Sequence, residues 1–118
     1  MRVLLTAHDS PYGASERLFN ALRLAAALLK QGEPAEVRLF LASDAVYAGM
    51  RNQLRPDGQY NVEEMVRSLL DAGAQITLCQ TCVDHRGLFG AALIPGVRIG
   101  SMMELAEWTL SSDRVLGF

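Results

Sequence analysis

Short apolar segments alternate along the chain with longer segments that carry helical start and stop signals. The segments that read as strands are 2–7, 36–42, 74–78, 96–99 and 114–118. The segments that read as helices are 15–31, 44–51, 61–72 and 101–110. Because strands that alternate with helices favour a parallel sheet covered on both faces, the pattern predicts an α/β domain.

Local signals support the predicted helix ends. Asn61 precedes Glu64 by three residues, and Ser101 precedes Glu104 in the same way, which is typical of helix N-caps. Gly32 and Gly73 are placed to end helices. The helix 15–31 is more apolar than one sheet-facing stripe requires, so we expect a second buried face and self-association.

Size and composition limit the classes of function. With 118 residues, half of them hydrophobic, the chain fits a single globular domain over 1–118. The net charge of −2 argues against a direct nucleic-acid partner, which requires clustered basic charge. No stretch approaches the ~20 apolar residues of a membrane span, and no signal peptide fits the start. We therefore expect a cytoplasmic protein with no membrane partner and no cofactor.

The cysteines of the chain are Cys79 and Cys82, placed where the third predicted strand runs into a loop. In an open parallel sheet, reactive groups collect at the carboxyl ends of the strands, so we expect an exposed thiol there. Arg86, protonated histidines and backbone N–H groups are expected to favour its thiolate, which is the nucleophilic form. His8 becomes a base for that thiol if the first and third strands are neighbours.

The residues alone leave three interpretations of this pair open. Cys79 is either a reactive nucleophile or a small buried hydrophobe, and Cys82 is either a resolving thiol or an incidental neighbour. A zinc site is the third interpretation, with Cys79, Cys82, His85 and His8 as the four ligands. In a reducing cytoplasm a structural disulfide is not expected.

From end to end, the sequence resembles the DsrE/DsrF-like family, which includes YchN-type proteins and the TusD subunit of a tRNA-thiolation sulfur relay. The segments that carry the resemblance are 2–5, 9–13, 55–63, 79–87 and 103–109. The most telling of them is Cys79-Gln80-Thr81-Cys82-Val83-Asp84-His85-Arg86-Gly87.

The resemblance implies a three-layer α/β/α sandwich with a five-stranded parallel sheet, assembled as a homotrimer or homohexamer. Counted back from the pair Arg86-Gly87, Cys79 takes the place of the cysteine that accepts sulfur as a persulfide in the relay members. Cys82 is not part of their motif. The family also implies a sulfur donor protein and a sulfur acceptor protein as partners.

The function predicted from the sequence is acceptance and transfer of sulfane sulfur on Cys79, as a sulfurtransferase or a sulfur carrier. Cys82 is the resolving thiol in this interpretation, and Arg86 and His8 support the reaction. The alternatives are a non-catalytic homo-oligomeric binding module with inert cysteines, or a dithiol or zinc site at Cys79 and Cys82.

Overall fold

A five-stranded parallel sheet forms the centre of the computed structural model, which describes residues 1–31, 36–54, 60–88 and 92–118. The strands are β1 (Arg2–Ala7), β2 (Glu36–Leu41), β3 (Gln75–Cys79), β4 (Arg98–Gly100) and β5 (Arg114–Gly117). Their order across the sheet is β4-β3-β2-β1-β5, and every pairing is parallel. The predicted α/β fold is thereby confirmed.

Helical segments connect these strands. They are α1 (Arg17–Leu29), a 3₁₀ helix (Ser43–Gly49), α2 (Val62–Asp71), α3 (Gln80–His85) and α4 (Met102–Ser111). Both predicted caps are present, because Asn61 accepts a hydrogen bond from the backbone N–H of Glu64 at 3.0 Å and Ser101 accepts one from Glu104 at 3.2 Å. Such caps satisfy N–H groups that have no partner within the helix.

The two faces of the sheet are covered differently. Alternate residues of β1 and β2, such as Leu5 and Leu39, pack towards α1 and α2 in a large apolar core. The residues between them point to the other face, where Leu4 and Phe40 form a smaller cluster with Trp108 of α4. This alternation follows from the two-residue period of a strand and produces the three layers.

The structure removes the argument from which self-association through the first helix was predicted. The extra apolar side chains of α1, including Leu24 and Leu28, are half-buried against the core of the same chain. The large hydrophobic side chains that are exposed lie elsewhere, on α4 and β5 among other places. The apolar character of α1 therefore does not require a second chain.

A second prediction needs correction. The segment after Cys79 was expected to be a loop, but residues Gln80–His85 form the short helix α3. Its sequence gave no start signal, because Cys79 at the N-cap position makes no capping hydrogen bond with its side chain. Gly32 and the turn signal at 55–58 lie outside the described residues. No helix in the described ranges has the length and apolar character that crossing a membrane requires.

Candidate functional site

The carboxyl ends of the five strands meet at one edge of the sheet, as the parallel topology requires. Along this edge, β2 is followed by Ser43 and Asp44, and the neighbouring strand β3 ends at Cys79. The first turn of α3 places Cys82 beside the same two segments, because α3 packs against both β3 and the 3₁₀ helix. The cysteine pair is therefore located between the ends of β2 and β3.

Cys79 is buried, contrary to the expectation of an exposed thiol. Only 3% of the residue is exposed, and it packs in the cluster formed by Leu4, Phe40, Ala42 and Trp108. Burial raises the pKa of the Cys79 thiol, and the neighbouring Cys82 thiol adds to the rise, while the backbone N–H groups of Cys82 and Thr81 act in the opposite direction. Arg86 and the histidines do not take part, so the predicted lowering of this pKa is wrong.

Cys82 occupies a different environment although it is only three residues away. It is partly exposed and touches both apolar clusters. Its Sγ accepts a hydrogen bond from the backbone N–H of Ser43 at 3.0 Å. The two thiols are also within hydrogen-bonding reach of each other. The sequence prediction of an interacting dithiol is therefore compatible with the geometry.

Arg86 forms its hydrogen bonds with groups of Asp44 and Cys82. Its guanidinium donates to Asp44 Oδ1 at 2.9 Å and to the backbone carbonyl of Cys82 at 3.2 Å. The side chain thus ties the start of the 3₁₀ helix to the first turn of α3. Its contribution to the site is to fix the position of Cys82 relative to Ser43, and not to place a charge beside Cys79.

The two histidines do not join the cysteines. His8 follows β1, which is separated from β3 by β2, so the condition for its role as a base is not met. His85 is exposed at the end of α3. In the described parts of the chain, no three His, Cys, Asp or Glu side chains are grouped so that they could hold a metal ion. The predicted zinc set is therefore not assembled.

Trp108 belongs to the same buried cluster as Cys79. Its ring meets Phe40 edge to face at 6.4 Å between centroids, and the guanidinium carbon of Arg38 lies 5.1 Å from the centre of its ring. Its backbone carbonyl accepts a hydrogen bond from Ser112 at 2.6 Å, which helps to end α4. The sequence indicated a packing role for Trp108 but did not place it in the cluster of Cys79.

Ser43, which follows β2, has a role in the site that the sequence did not indicate. Its φ of +50° is in the left-handed region, which non-glycine residues adopt infrequently. A backbone held in such a conformation must be stabilised by its surroundings, and positions of this kind concentrate at functional sites. No signal in the sequence identifies Ser43, because its contribution is made by a main-chain N–H.

Comparison with known proteins agrees with this geometry. The model of the DsrE/DsrF-like family matches residues 1–118. The chain belongs to the DsrE/DsrF-like family. It is 49% identical to the protein YchN of Escherichia coli over 117 residues, which cover 99% of this chain and 98% of that protein. An uncharacterized protein of Methanopyrus kandleri is 37% identical over 110 residues, with coverage of 93% and 88%.

The same fold occurs in a solved structure of this DsrE/DsrF-like group. The crystal structure of the Escherichia coli ychN protein superposes with a TM-score of 0.94, at 48% identity, and covers 100% of this chain and 99% of that one. The resemblance noted from the sequence is thereby confirmed for family and fold. Family membership associates the chain with a sulfur-relay type of family. An activity has to be argued from the site itself.

Proposed function

We propose that this protein accepts and transfers sulfane sulfur, and that it carries the sulfur as a persulfide on Cys79. The observation that carries the proposal is a pair of neighbouring thiols, in which Cys82 packs against the cluster of Cys79 and its Sγ accepts a hydrogen bond from the backbone N–H of Ser43 at 3.0 Å. Such N–H donors stabilise anionic sulfur, whether thiolate or persulfide. Membership of a sulfur-relay type of family supports the same chemistry.

The reaction is an exchange at a sulfur–sulfur bond. A thiolate of the protein attacks the outer sulfur of a donor persulfide, the bond within the donor breaks, and the donor leaves as a thiolate. One sulfur atom has then moved to the protein with no net oxidation. Transfer to an acceptor thiol repeats the step in reverse. The donor and the acceptor are proposed to be proteins.

Because Cys79 is buried, a persulfide on this residue has a property that an exposed persulfide lacks. A persulfide buried in the cluster that includes Phe40 and Trp108 is shielded from small thiols in solution, which would otherwise remove the outer sulfur. A carrier requires this protection between loading and delivery. The raised pKa of the free Cys79 thiol, caused by its burial, also keeps the unloaded residue protonated and unreactive.

The test is intact-mass spectrometry after incubation with glutathione persulfide, followed by removal of the donor and a brief wash with a small thiol. We expect wild-type protein to retain one sulfur atom. Cys79→Ala protein is expected to lose its sulfur in the wash, while Cys82→Ala protein retains it once loading is complete. Wild-type protein with no retained sulfur would refute the carrier function. A loss of two hydrogens with release of sulfide would instead show that Cys82 resolves the persulfide into a disulfide.

The 3% exposure of Cys79 also favours a second candidate, a non-catalytic binding module with inert thiols. Alkylation separates the two candidates, because an inert pair reacts slowly at both positions in the folded protein. In the carrier, at least one of the two thiols of the folded protein reacts at a rate comparable to that of an exposed cysteine.

We further propose that the chain assembles with copies of itself, as a homotrimer or homohexamer, through the side of the sheet that carries α4. Met102, Met103 and Leu110 of α4 and Val115 of β5 are exposed there, Leu110 to 89%. Exposed apolar side chains close together are typical of interfaces. Sedimentation equilibrium of the wild type and of Leu110→Asp tests this proposal, and a wild-type monomer at all concentrations would exclude it.

A further inference from the structure

The two thiols of the pair differ in access to solvent. Cys79 is 3% exposed and packs in the cluster that includes Trp108, whereas Cys82 is partly exposed on the first turn of α3. A donor persulfide has to bring its outer sulfur into line with the attacking thiolate, which requires an open approach to that atom. In the folded chain, burial obstructs this approach at Cys79, and Cys82 is the more exposed residue of the pair.

The surroundings of Cys82 are also fixed in a way that suits an attacking sulfur. The backbone N–H of Ser43 donates to its Sγ at 3.0 Å, and the backbone that presents this N–H is held at φ +50°. The guanidinium of Arg86 joins Asp44, the next residue, to the carbonyl of Cys82. The bridge made by Arg86 therefore helps to hold the donor N–H against the sulfur atom.

We infer that Cys82 is the primary acceptor of sulfur and passes it inward to Cys79, so that the more exposed cysteine loads the buried one. This inference rests on the proposed function and assigns an order to its steps. It reverses the roles predicted from the sequence, in which Cys79 meets the donor and Cys82 acts afterwards. Arg86 is a positioning residue for Cys82 in this scheme.

The inward step is balanced within the pair. The Cys79 sulfur attacks the outer sulfur of the Cys82 persulfide, and a bond forms between these two atoms. The bond from the outer sulfur to Cys82 Sγ breaks, and its electron pair stays on Cys82. The proton of the Cys79 thiol moves to Cys82 across the hydrogen-bonding contact between the two side chains. The products are a Cys79 persulfide and a Cys82 thiol, and nothing is oxidised or reduced.

The test measures initial rates of sulfur gain from glutathione persulfide by intact-mass spectrometry, without the thiol wash. Cys79→Ala is expected to gain its first sulfur at the wild-type rate, because Cys82 is still present. Cys82→Ala is expected to load more slowly, on the order of tenfold, because only the buried thiol remains. Circular dichroism and thermal unfolding of each variant establish that it is folded.

The possible outcomes separate the inference from the proposed function. Rapid loading of Cys82→Ala together with slow loading of Cys79→Ala would overturn the order of steps and leave the carrier function intact. Wild-type rates in both variants would overturn the order as well. Absence of sulfur gain in the wild type would refute the function itself.

Two further measurements do not depend on the cysteine variants. In the wild type, the first site labelled by iodoacetamide is expected to be Cys82, located by peptide fragmentation, and first labelling of Cys79 would contradict the inference. Arg86→Met is expected to slow loading several-fold, and Arg86→Lys, which keeps a donor at this position, is expected to recover part of the rate. Arg67→Met, which removes an exposed arginine from α2, is the matched control and should load normally. Equal rates in Arg86→Met and Arg67→Met would remove Arg86 from the scheme.

Discussion

The two faces of the sheet contrast in what they contribute. The face towards α1 and α2 packs long aliphatic side chains such as Leu5, Leu39 and Ile76 in a continuous core. The face towards α4 has a small cluster that includes Cys79, and it leaves the side-chain Nε of Arg38 and Oγ1 of Thr77 buried without hydrogen-bond partners. The first face forms the larger part of the apolar core, and the second contains the buried Cys79 thiol.

This difference explains how a small domain holds a protected sulfur atom. A cysteine within the large core would be as inert as its aliphatic neighbours and permanently inaccessible. Cys79 instead lies at the carboxyl end of β3, in a small cluster that includes Trp108, and the Cys82 side chain packs against the same cluster. Substitutions on the two faces should therefore separate stability from thiol reactivity.

The largest expected effect is on stability, at the α1 and α2 face. Leu39 is fully buried, and Leu39→Ala should lower the free energy of unfolding by about 4 kcal/mol, since it removes buried methylene groups and leaves a cavity. Urea unfolding at constant protein concentration measures this. Leu54→Ala, at a leucine that is 85% exposed and lies outside the proposed interface, is the control and should change the value by no more than about 0.5 kcal/mol. A smaller loss at Leu39 than at Leu54 would break the comparison.

A substitution on the other face should change both properties. Trp108→Ala removes the edge contact with Phe40 and the contact with Arg38, and should cost about 3 kcal/mol. It should also raise the alkylation rate of Cys79 relative to that of Cys82 in the folded protein. The ratio is the useful quantity, because global unfolding exposes both thiols equally. An unchanged ratio would show that Trp108 does not cover the thiol.

The two N-caps offer a matched pair of smaller perturbations. Asn61→Ala at the start of α2 and Ser101→Ala at the start of α4 should each lower the free energy of unfolding by about 1 kcal/mol. Only Ser101→Ala should raise the relative alkylation of Cys79, because α4 carries Trp108. Equal effects of both variants on Cys79 would mean that overall stability, and not the α4 layer, controls access.

The smallest expected effect is on the pH dependence of stability. Burial raises the pKa of Cys79 in the folded state, so the unfolded thiol loses its proton first as the pH rises above about 8.5. Below that pH the thiol is protonated in both states, and its contribution to the free energy of unfolding is fully present. Above that pH the contribution declines, because the unfolded thiol ionises. The difference in unfolding free energy between wild type and Cys79→Ala should therefore decrease between about pH 8 and pH 10. A difference that increases over this range would contradict the raised pKa.

The elements of the fold were accessible from the sequence, because buried apolar runs and helix caps are local signals. The strand Arg2–Ala7 and the caps at Asn61 and Ser101 are examples. The short helix Gln80–His85 was missed, since six residues with no side-chain cap leave little periodicity to detect.

The environment of the candidate site depended on contacts between distant segments. Cys79 is buried in a cluster drawn from distant segments, the contact of Cys82 is made by a main-chain group of Ser43, and the exclusion of His8 follows from the order of the strands. None of these has a local signal. An exposed Cys79 was predicted, whereas the structure buries Cys79 and leaves Cys82 partly exposed.

The central claim is that Cys79 carries one additional sulfur atom, bonded to its Sγ, beneath the α4 layer. A crystal structure of the wild-type protein after loading with glutathione persulfide and removal of the donor tests it most directly. We predict electron density for one additional sulfur bonded to Cys79 Sγ and enclosed beside Trp108. Density for two unmodified thiols in crystals of protein treated in this way would contradict the account.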